Sequence, residues 1–552
     1  MSSRLVVVLL AWAPLALGAA PRLGAIATAH PLATAAGFEV LEAGGNAFDA
    51  AVAVSAALAV VEPSSSGMGG GGFWLLAPAD AEPVFVDGRE RAPGAAHAEL
   101  YLNDHGEVDR DLALNGPLAA GIPGQAAALA HIAERHGRLP LARSLVPAIR
   151  LAREGFAVDA HYLHMAKLRA EALRRWPAST AIFLGPDGAL PGGDFRLVQA
   201  DLAWTLERLA QHGRDGFYGG EVARRLVQGV RAAGGIWTLD DLRDYRVVER
   251  APLRGHYRDL EVITAPPPGS GAILLIALNI LEGYDLPALA SPQRRHLIVE
   301  AMRRAYRDRA EYLGDPDFTE VPLGRLLDDT YAAGLRAGIH PARATPSALL
   351  PGEAEPAGGT DTTHFSIADR DGNLVSATLS INIPFGSAFV PAGTGVLLND
   401  EMDDFSAKPG APNVYGLVGA GANAIAAGKR PLSSMSPTIL RRGDWLGVLG
   451  TPGGSRIISM VLLGTLAAEQ SPLEPERWVA RKRFHHQYLP DQVQFELDGL
   501  DAAEQEELRA LGHELKMLDR RYGNMQAISW DRGSDSLRAA ADPRRVGAAE
   551  VR

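Results

Sequence analysis

The segment Asn46–Val61 is nearly all small and apolar, with Ala50, Ala51, Val52, Ala53 and Val54 in unbroken succession. A surface helix needs a polar face, so a helix of this composition has to be buried on most sides, and the fold must supply that cover. A helix read over Pro31–Ala43 precedes it, set apart by Gly44-Gly45. It runs into Pro63–Gly72, a Ser- and Gly-rich loop whose backbone must pack closely against something. Phe73–Leu76 then reads as a buried strand and Pro83–Val86 as a second. The 552 residues, 47% of them hydrophobic, suffice for one large layered fold or for several domains. Aromatics are only 6%, whereas Gly (60) and Pro (37) are abundant, which suggests many turns and close backbone approaches.

Helical patterns dominate from Gly124 to Glu154 and from Leu197 to Ala232. Pro266–Gly269 interrupts the chain, and an amphipathic helix follows over Arg294–Leu313. From Pro341 to Gly359 the sequence is rich in Pro, Ala, Gly and Glu without periodicity, the pattern of a flexible surface connection. The character then changes abruptly. Thr363–Asp369 alternates apolar and polar residues, Asp371-Gly372 is a strong turn, and Leu374–Ile381 is the partner strand. A flexible connection feeding a tight hairpin is a plausible processing site. No internal repeat is visible.

The net charge of −11 and the lack of a basic stripe argue against a nucleic-acid partner. With no cysteine, disulfides, thiolate zinc sites and Cys nucleophiles are excluded. At the N-terminus Arg4, the apolar run Leu5–Leu17 and the small residues Gly18-Ala19-Ala20 follow the order of a secretory signal. The run is short for a membrane span and contains Pro14. Residues 1–20 are therefore expected to direct export to the periplasm or medium, with a retained anchor as the alternative.

Several motifs can be set aside. Gly69–Gly72 has no following Lys-Ser/Thr and fits neither nucleotide fingerprint, so it reads as a tight turn near a site. Gly269-Ser270-Gly271 and Gly453-Gly454-Ser455 both fail the nucleophile-elbow pattern. His485-His486 would point to opposite faces of a strand and could not easily share a metal. Asp361-Thr362-Thr363-His364 at the mouth of the hairpin remains. By itself it is an ordinary strand Thr pair. A Thr hydroxyl at a newly exposed chain terminus, however, has its own base, the α-amine, whose ordinary pKa is near 8.

These residues sit in a sequence that resembles the γ-glutamyltranspeptidase family of N-terminal nucleophile hydrolases. The likeness covers Glu42–Val61, Gly67–Leu75, Asp87–Pro93, Asp308–Phe318, Thr362–Phe385, Asn399–Val418, Lys429–Thr438, Thr451–Ile458 and Arg483–Asp491. It implies an α+β fold, a four-layer αββα sandwich. It also implies self-cleavage before Thr362 into a large subunit (21–361) and a small one (362–552) that stay together.

Residue by residue, Thr362 matches the family's nucleophile, and Ser380 stands where a second Thr often supports it. Arg89 matches the arginine that clamps a substrate α-carboxylate, and Ser433 and Ser434 the hydroxyls that share it. Asn382, Glu401 and Asp404 match the group around the substrate ammonium. Adjacent carboxylates such as these repel unless a cation lies between them. Gly453 and Gly454 match the backbone amides that stabilise the oxyanion. Tyr415 lies in Pro409–Val418, which matches a lid found in some members and suggests small γ-glutamyl compounds rather than polymers. The resemblance implies transfer of a γ-glutamyl group from glutathione or similar amides to water or to an amino-acid or peptide amine, with no metal or organic cofactor. A glutaryl or cephalosporin acylase and an unprocessed non-catalytic relative are the alternatives. Retention of Glu401 and Asp404, useful only for a substrate ammonium, disfavours the first.

Overall fold

In the computed structural model, which describes residues 22–350, 362–408, 413–417 and 419–552, the Ala47–Val61 helix is buried along its whole length. Its N-terminus is closed by a capping box between Asn46 and Asp49. The expected signal segment, the end of the expected connection and parts of the 409–418 segment lie outside the described residues.

Two antiparallel sheets stack on one another, and the first of them packs against that helix. The first has seven strands in the spatial order Ala548–Val551, Gly24–Thr28, Thr363–Asp369, Leu374–Ser380, Gly71–Ala77, Val84–Gly88 and Val248–Arg250. The second has six: Ser536–Ala541, Gln526–Asp531, Trp445–Gly450, Thr438–Arg442, Leu260–Thr264 and Leu253–Tyr257. Alternation along Gly71–Ala77 shows how the layers divide. Trp74 and Leu76 join the core formed with the Pro31–Glu42 and Ala47–Val61 helices. Phe73 and Leu75 join the core shared with the second sheet. The far face of the second sheet is covered by the Gly271–Leu281 and Ile457–Gln470 helices, with Ser291–Tyr312 packed outside. The architecture is thus helix, sheet, sheet, helix, as the resemblance implies.

The Pro63–Gly72 loop packs as closely as its glycines require. A Cβ on Gly70 would lie 2.2 Å from the Ser380 carbonyl oxygen, so only glycine lets the chain pass beside the end of that strand. Elsewhere boundaries shift for identifiable reasons. The helical stretch from 124 to 154 is three helices, Gln125–Arg135, Leu141–Ser144 and Val146–Glu154, interrupted next to Pro140 and again before Pro147. The stretch from 197 to 232 divides at Gly213 and Gly219. Residues 341–350, expected to belong to a flexible connection, are anchored. Thr345 N–H donates to Glu300 Oε1, Ser347 N–H to Asp491 Oδ2, and the Tyr488 hydroxyl to the Leu350 carbonyl. Backbone hydrogen bonds of this kind leave no trace in composition.

The hairpin forms in the expected register, with Leu374 opposite Ala368 and Leu379 opposite Thr363. Its first strand is tied to the buried helix at both ends. At the turn, Asp369 Oδ2 accepts from Ala47 N–H and Asn373 Nδ2, each at 2.8 Å, while Oδ1 accepts from the backbone of Asp371 and Asn373. At the other end Thr363 Oγ1 donates to Oε2 of Glu62, the residue that ends the helix, at 2.6 Å. A fifteen-residue helix is about 21 Å long and a seven-residue strand about 20 Å, so the lengths match.

Asp369→Ala would strand four donors, buried or half-buried, without their acceptor. We expect a loss of about 3 kcal/mol or more in chemical unfolding, because each unsatisfied donor costs roughly 1–3 kcal/mol. An unchanged unfolding midpoint would show that the clamp contributes nothing to stability.

Candidate active site

Thr362 is buried at the start of the clamped strand, one residue before Thr363. Its Oγ1 lies 3.5 Å from Ser380 Oγ on the neighbouring strand. Ser380 Oγ already accepts a 2.9 Å bond from Asn382 N–H, which leaves its own proton free to face Thr362. His364, two residues along the chain, is not a base for this site. It bonds Thr378 and Ser366, packs against Gly450, and burial holds its pKa down at about 3. It therefore stays neutral and structural.

One narrow cavity brings together Thr362, Ser380, Arg89, Asn382, Asp404, Tyr415, Ser433, Ser434 and Gly454. Residues from five separate parts of the sequence thus converge. Glu401 stands behind this lining, joined to it through Arg89. Gly453 lies on the adjoining turn and faces a second, larger cleft. Gly453 (φ +147°) and Gly454 (φ +56°) lead into the Ile457–Gln470 helix. A Cβ at Gly454 would lie 2.5 Å from the Tyr415 ring, so the turn has room only for glycine. Backbone N–H groups at such a turn, ahead of a helix N-terminus, favour a developing negative charge.

Arg89, fully buried, is the cation between the carboxylates. Its guanidinium meets Glu401 at 2.6 Å, Asp404 at 2.5 Å and Glu90 at 3.3 Å, and its Nε donates to the Pro431 carbonyl. Burial opposes its charge, but Glu401, Glu90 and Asp404 outweigh burial and hold its pKa above the ordinary value. The carboxylates respond in the opposite sense. Burial pushes Glu401 well above the usual carboxylate range despite Arg89, and pushes Glu90 up to about 7.

Asn382 adopts a left-handed backbone (φ +78°). Its Nδ2 is spent on Asp400, while its Oδ1 is buried with no hydrogen-bond partner among the described residues. Glu401 Oε1 is in the same condition. These two acceptors suit an incoming ammonium. Tyr415 closes the cavity by donating to the Asn382 carbonyl at 2.5 Å. Ser434 Oγ accepts from Arg309 Nη2 at 3.2 Å, and Arg309 Nε also bonds Ser270.

Arg309, Glu62 and Thr363 were not anticipated as parts of the site. Arg309 lies on the long Ser291–Tyr312 helix among other arginines, and nothing in helical periodicity separates an inward guanidinium from a solvated one. Burial lowers its pKa to about 10, so it remains charged at neutral pH. The two adjacent histidines bond separately, His485 to Ser459 and Gln487, and His486 to Asp491.

Comparisons with known proteins identify the family. The family model described as gamma-glutamyltranspeptidase matches residues 33–551. The chain is 45% identical over 494 residues to a glutathione hydrolase proenzyme of Pseudomonas sp. (strain A14), covering 89% of this chain and 86% of that one. It is 42% identical over 531 residues to the Escherichia coli (strain K12) protein of the same name, covering 95% and 90%. Among solved structures, the cephalosporin acylase from Bacillus halodurans superposes with a TM-score of 0.85 at 28% identity, covering 98% of this chain and 99% of that one. A family match over nearly the whole chain, and relatives above 40% identity that it covers almost end to end, establish that this protein belongs to the gamma-glutamyltranspeptidase family.

Proposed function

We propose that the protein is a γ-glutamyl transferase and hydrolase acting on glutathione and related γ-glutamyl amides, made as a precursor that cuts itself before Thr362. The observation that carries this reading is the single cavity in which the Thr362 hydroxyl, the Ser380 hydroxyl and Gly454 meet a charge set of both signs. The α-amino acid end of a γ-glutamyl group is itself a cation beside an anion. Its ammonium is taken to face Asn382 Oδ1, Glu401 and Asp404, and its carboxylate to face Arg89, Ser433 and Ser434.

In the first step Thr362 Oγ attacks the γ-carbonyl carbon and its proton passes to the Thr362 α-amine. The N–H groups of Gly453 and Gly454 hold the oxyanion, and one such donor contributes about 3 kcal/mol in a transition state. The C–N bond breaks, the leaving amine takes the proton, and the γ-glutamyl ester remains on Thr362. Water or a second amine then attacks that ester by the reverse sequence. Export to the periplasm or medium is the compartment that the N-terminal segment supports.

Processing is tested by N-terminal sequencing and intact mass. The natural protein should yield a second chain running from Thr362 to Arg552, and Thr362→Ala should give one uncut, inactive chain. Cleavage and activity in that variant would exclude the mechanism.

The role of Ser380 is read from two substitutions. Ser380→Ala should lower kcat about tenfold, the value of roughly one hydrogen bond, whereas Ser380→Thr, which keeps the hydroxyl, should remain near the natural rate. Equal losses in both would mean that the site responds to packing and not to the hydroxyl.

An acylase reading has the Bacillus halodurans likeness in its favour. Glutaryl groups carry no α-amine, however, so they would leave Asn382 Oδ1 and Glu401 Oε1 unmatched. We expect γ-glutamyl-p-nitroanilide to be cleaved with a kcat/KM about a hundredfold above that of glutaryl-p-nitroanilide. A reversed ratio would assign the protein to the acylases.

A further inference from the structure

Outside the nucleophile cavity, three side chains from separate pieces of chain converge on one point. His131 lies on the Gln125–Arg135 helix, His136 is the residue that ends it, and Glu249 lies on the edge strand Val248–Arg250. His131 Nε2 and His136 Nε2 reach the same Glu249 oxygen, at 2.8 and 3.2 Å. Residues five apart on a continuous helix point about 140° away from each other, so helical spacing alone would separate the two histidines. They meet because the chain leaves the helix at His136 (φ −125°, ψ −20°). None of the three lines the nucleophile cavity.

The backbone around these ligands is held from several sides. Asn46 Nδ2 donates to the His136 carbonyl at 2.8 Å, and the N–H groups of Arg138 and Leu139 donate to Asp49, the other half of the capping box. The His136 ring meets the Phe48 ring edge-on at 5.7 Å. Glu249 is fixed in register opposite Val86, and the next residue, Arg250, donates from Nε to Asp87. A site whose ligands stand on supported helix and strand positions needs little rearrangement to bind.

The spacing suits a metal ion. Two donors on a tetrahedral zinc ion, each about 2.0–2.1 Å from it, lie about 3.3 Å from one another. The three donor atoms here all lie within 4.8 Å of one another. Among the described residues no guanidinium or ammonium pairs with Glu249, so only the two imidazoles answer its charge. His296, Glu300 and His513 form a second group of the same composition and show the contrast. There Arg303 and Arg304 already pair with Glu300 and would repel a further cation, and His296 Nδ1 bonds His513 Nε2 at 2.8 Å.

We propose that His131, His136 and Glu249 form a binding site for a divalent transition-metal ion of the zinc type, which staples the edge strand of the first sheet to the helical layer. The two Nε2 atoms and a carboxylate oxygen are the ligands, and water takes the fourth position. Imidazole donors select zinc over calcium and magnesium, which take oxygen ligands. The ion is structural and has no part in acyl transfer. Neither Nδ1 has a hydrogen-bond partner among the described residues, and such partners are worth about ten- to hundredfold in affinity. Micromolar binding is therefore expected, weaker than at a fully supported site.

The test uses the whole, untagged protein, stripped of metal with EDTA, dialysed and titrated with zinc chloride in a calorimeter. One zinc per chain should bind. At a free concentration about a hundredfold above Kd, the folding equilibrium constant should rise about a hundredfold. H131A and H136A should each weaken binding at least about tenfold. E249Q, which keeps the size of the side chain and a hydrogen-bond acceptor, should do the same and separates loss of a ligand from loss of folding. Cobalt(II) on the natural protein should give the strong visible absorption of four-coordinate cobalt, and H131A should not. No zinc uptake by the natural protein, or equal uptake by all three variants, overturns the proposal and leaves a hydrogen-bonded cluster. None of these readouts depends on cleavage before Thr362 or on γ-glutamyl transfer.

Discussion

A buried helix and the nucleophile's strand are bolted together at both ends, and the site depends on that attachment. Asp369 joins the turn of the hairpin to the N-terminus of the Ala47–Val61 helix, and Glu62 at the other end takes the hydroxyl of Thr363. The two elements can be fixed this way because their lengths agree. The helix in turn cannot shift, since none of its faces reaches water. Thr362 is the next residue along the chain, so its place is set by a rigid body about 20 Å long and not by the connection that precedes it. This is a suitable mount for a residue whose peptide bond is proposed to be cut, because the acceptor geometry need not change when the chain opens.

The second constraint is electrostatic. Placing Glu90, Glu401 and Asp404 around one guanidinium removes four charges from water, and such burial is tolerated only when partners and hydrogen bonds are dense. Arg89 alone does not balance three carboxylates, and burial pushes Glu401 and Glu90 upward despite it. Arg309 brings a second cation to the far side, beneath Ser434. The cavity is thereby divided into a side that seeks a cation and a side that offers one. A zwitterionic α-amino acid end matches both, whereas a plain dicarboxylate end matches only one.

Much of this was legible in the sequence. The hairpin was readable to within a residue because alternation, an Asp-Gly turn and a second alternating run specify register locally. The buried helix was readable because composition alone denied it a wet face. The two helical stretches were placed correctly but not divided, since the Pro and Gly breaks within them interrupt packing more than periodicity. The anchoring of residues 341–350 was missed because their partners, Glu300, Asp491 and Tyr488, lie far away in the chain or on an element whose position only the fold supplies.

The sequence by itself specified the hairpin, the buried helix and, through the family resemblance, the candidates for the nucleophile, the glycine turn and the charged residues, because those depend on residue type and order along the chain. It did not determine that Arg89 would be shared by three carboxylates, that Arg309 would turn inward, or that Thr362 and Gly454 would line one cavity. Those outcomes depend on distances between parts of the chain tens to hundreds of residues apart. Such distances are fixed only when two sheets stack and their loops meet at one edge.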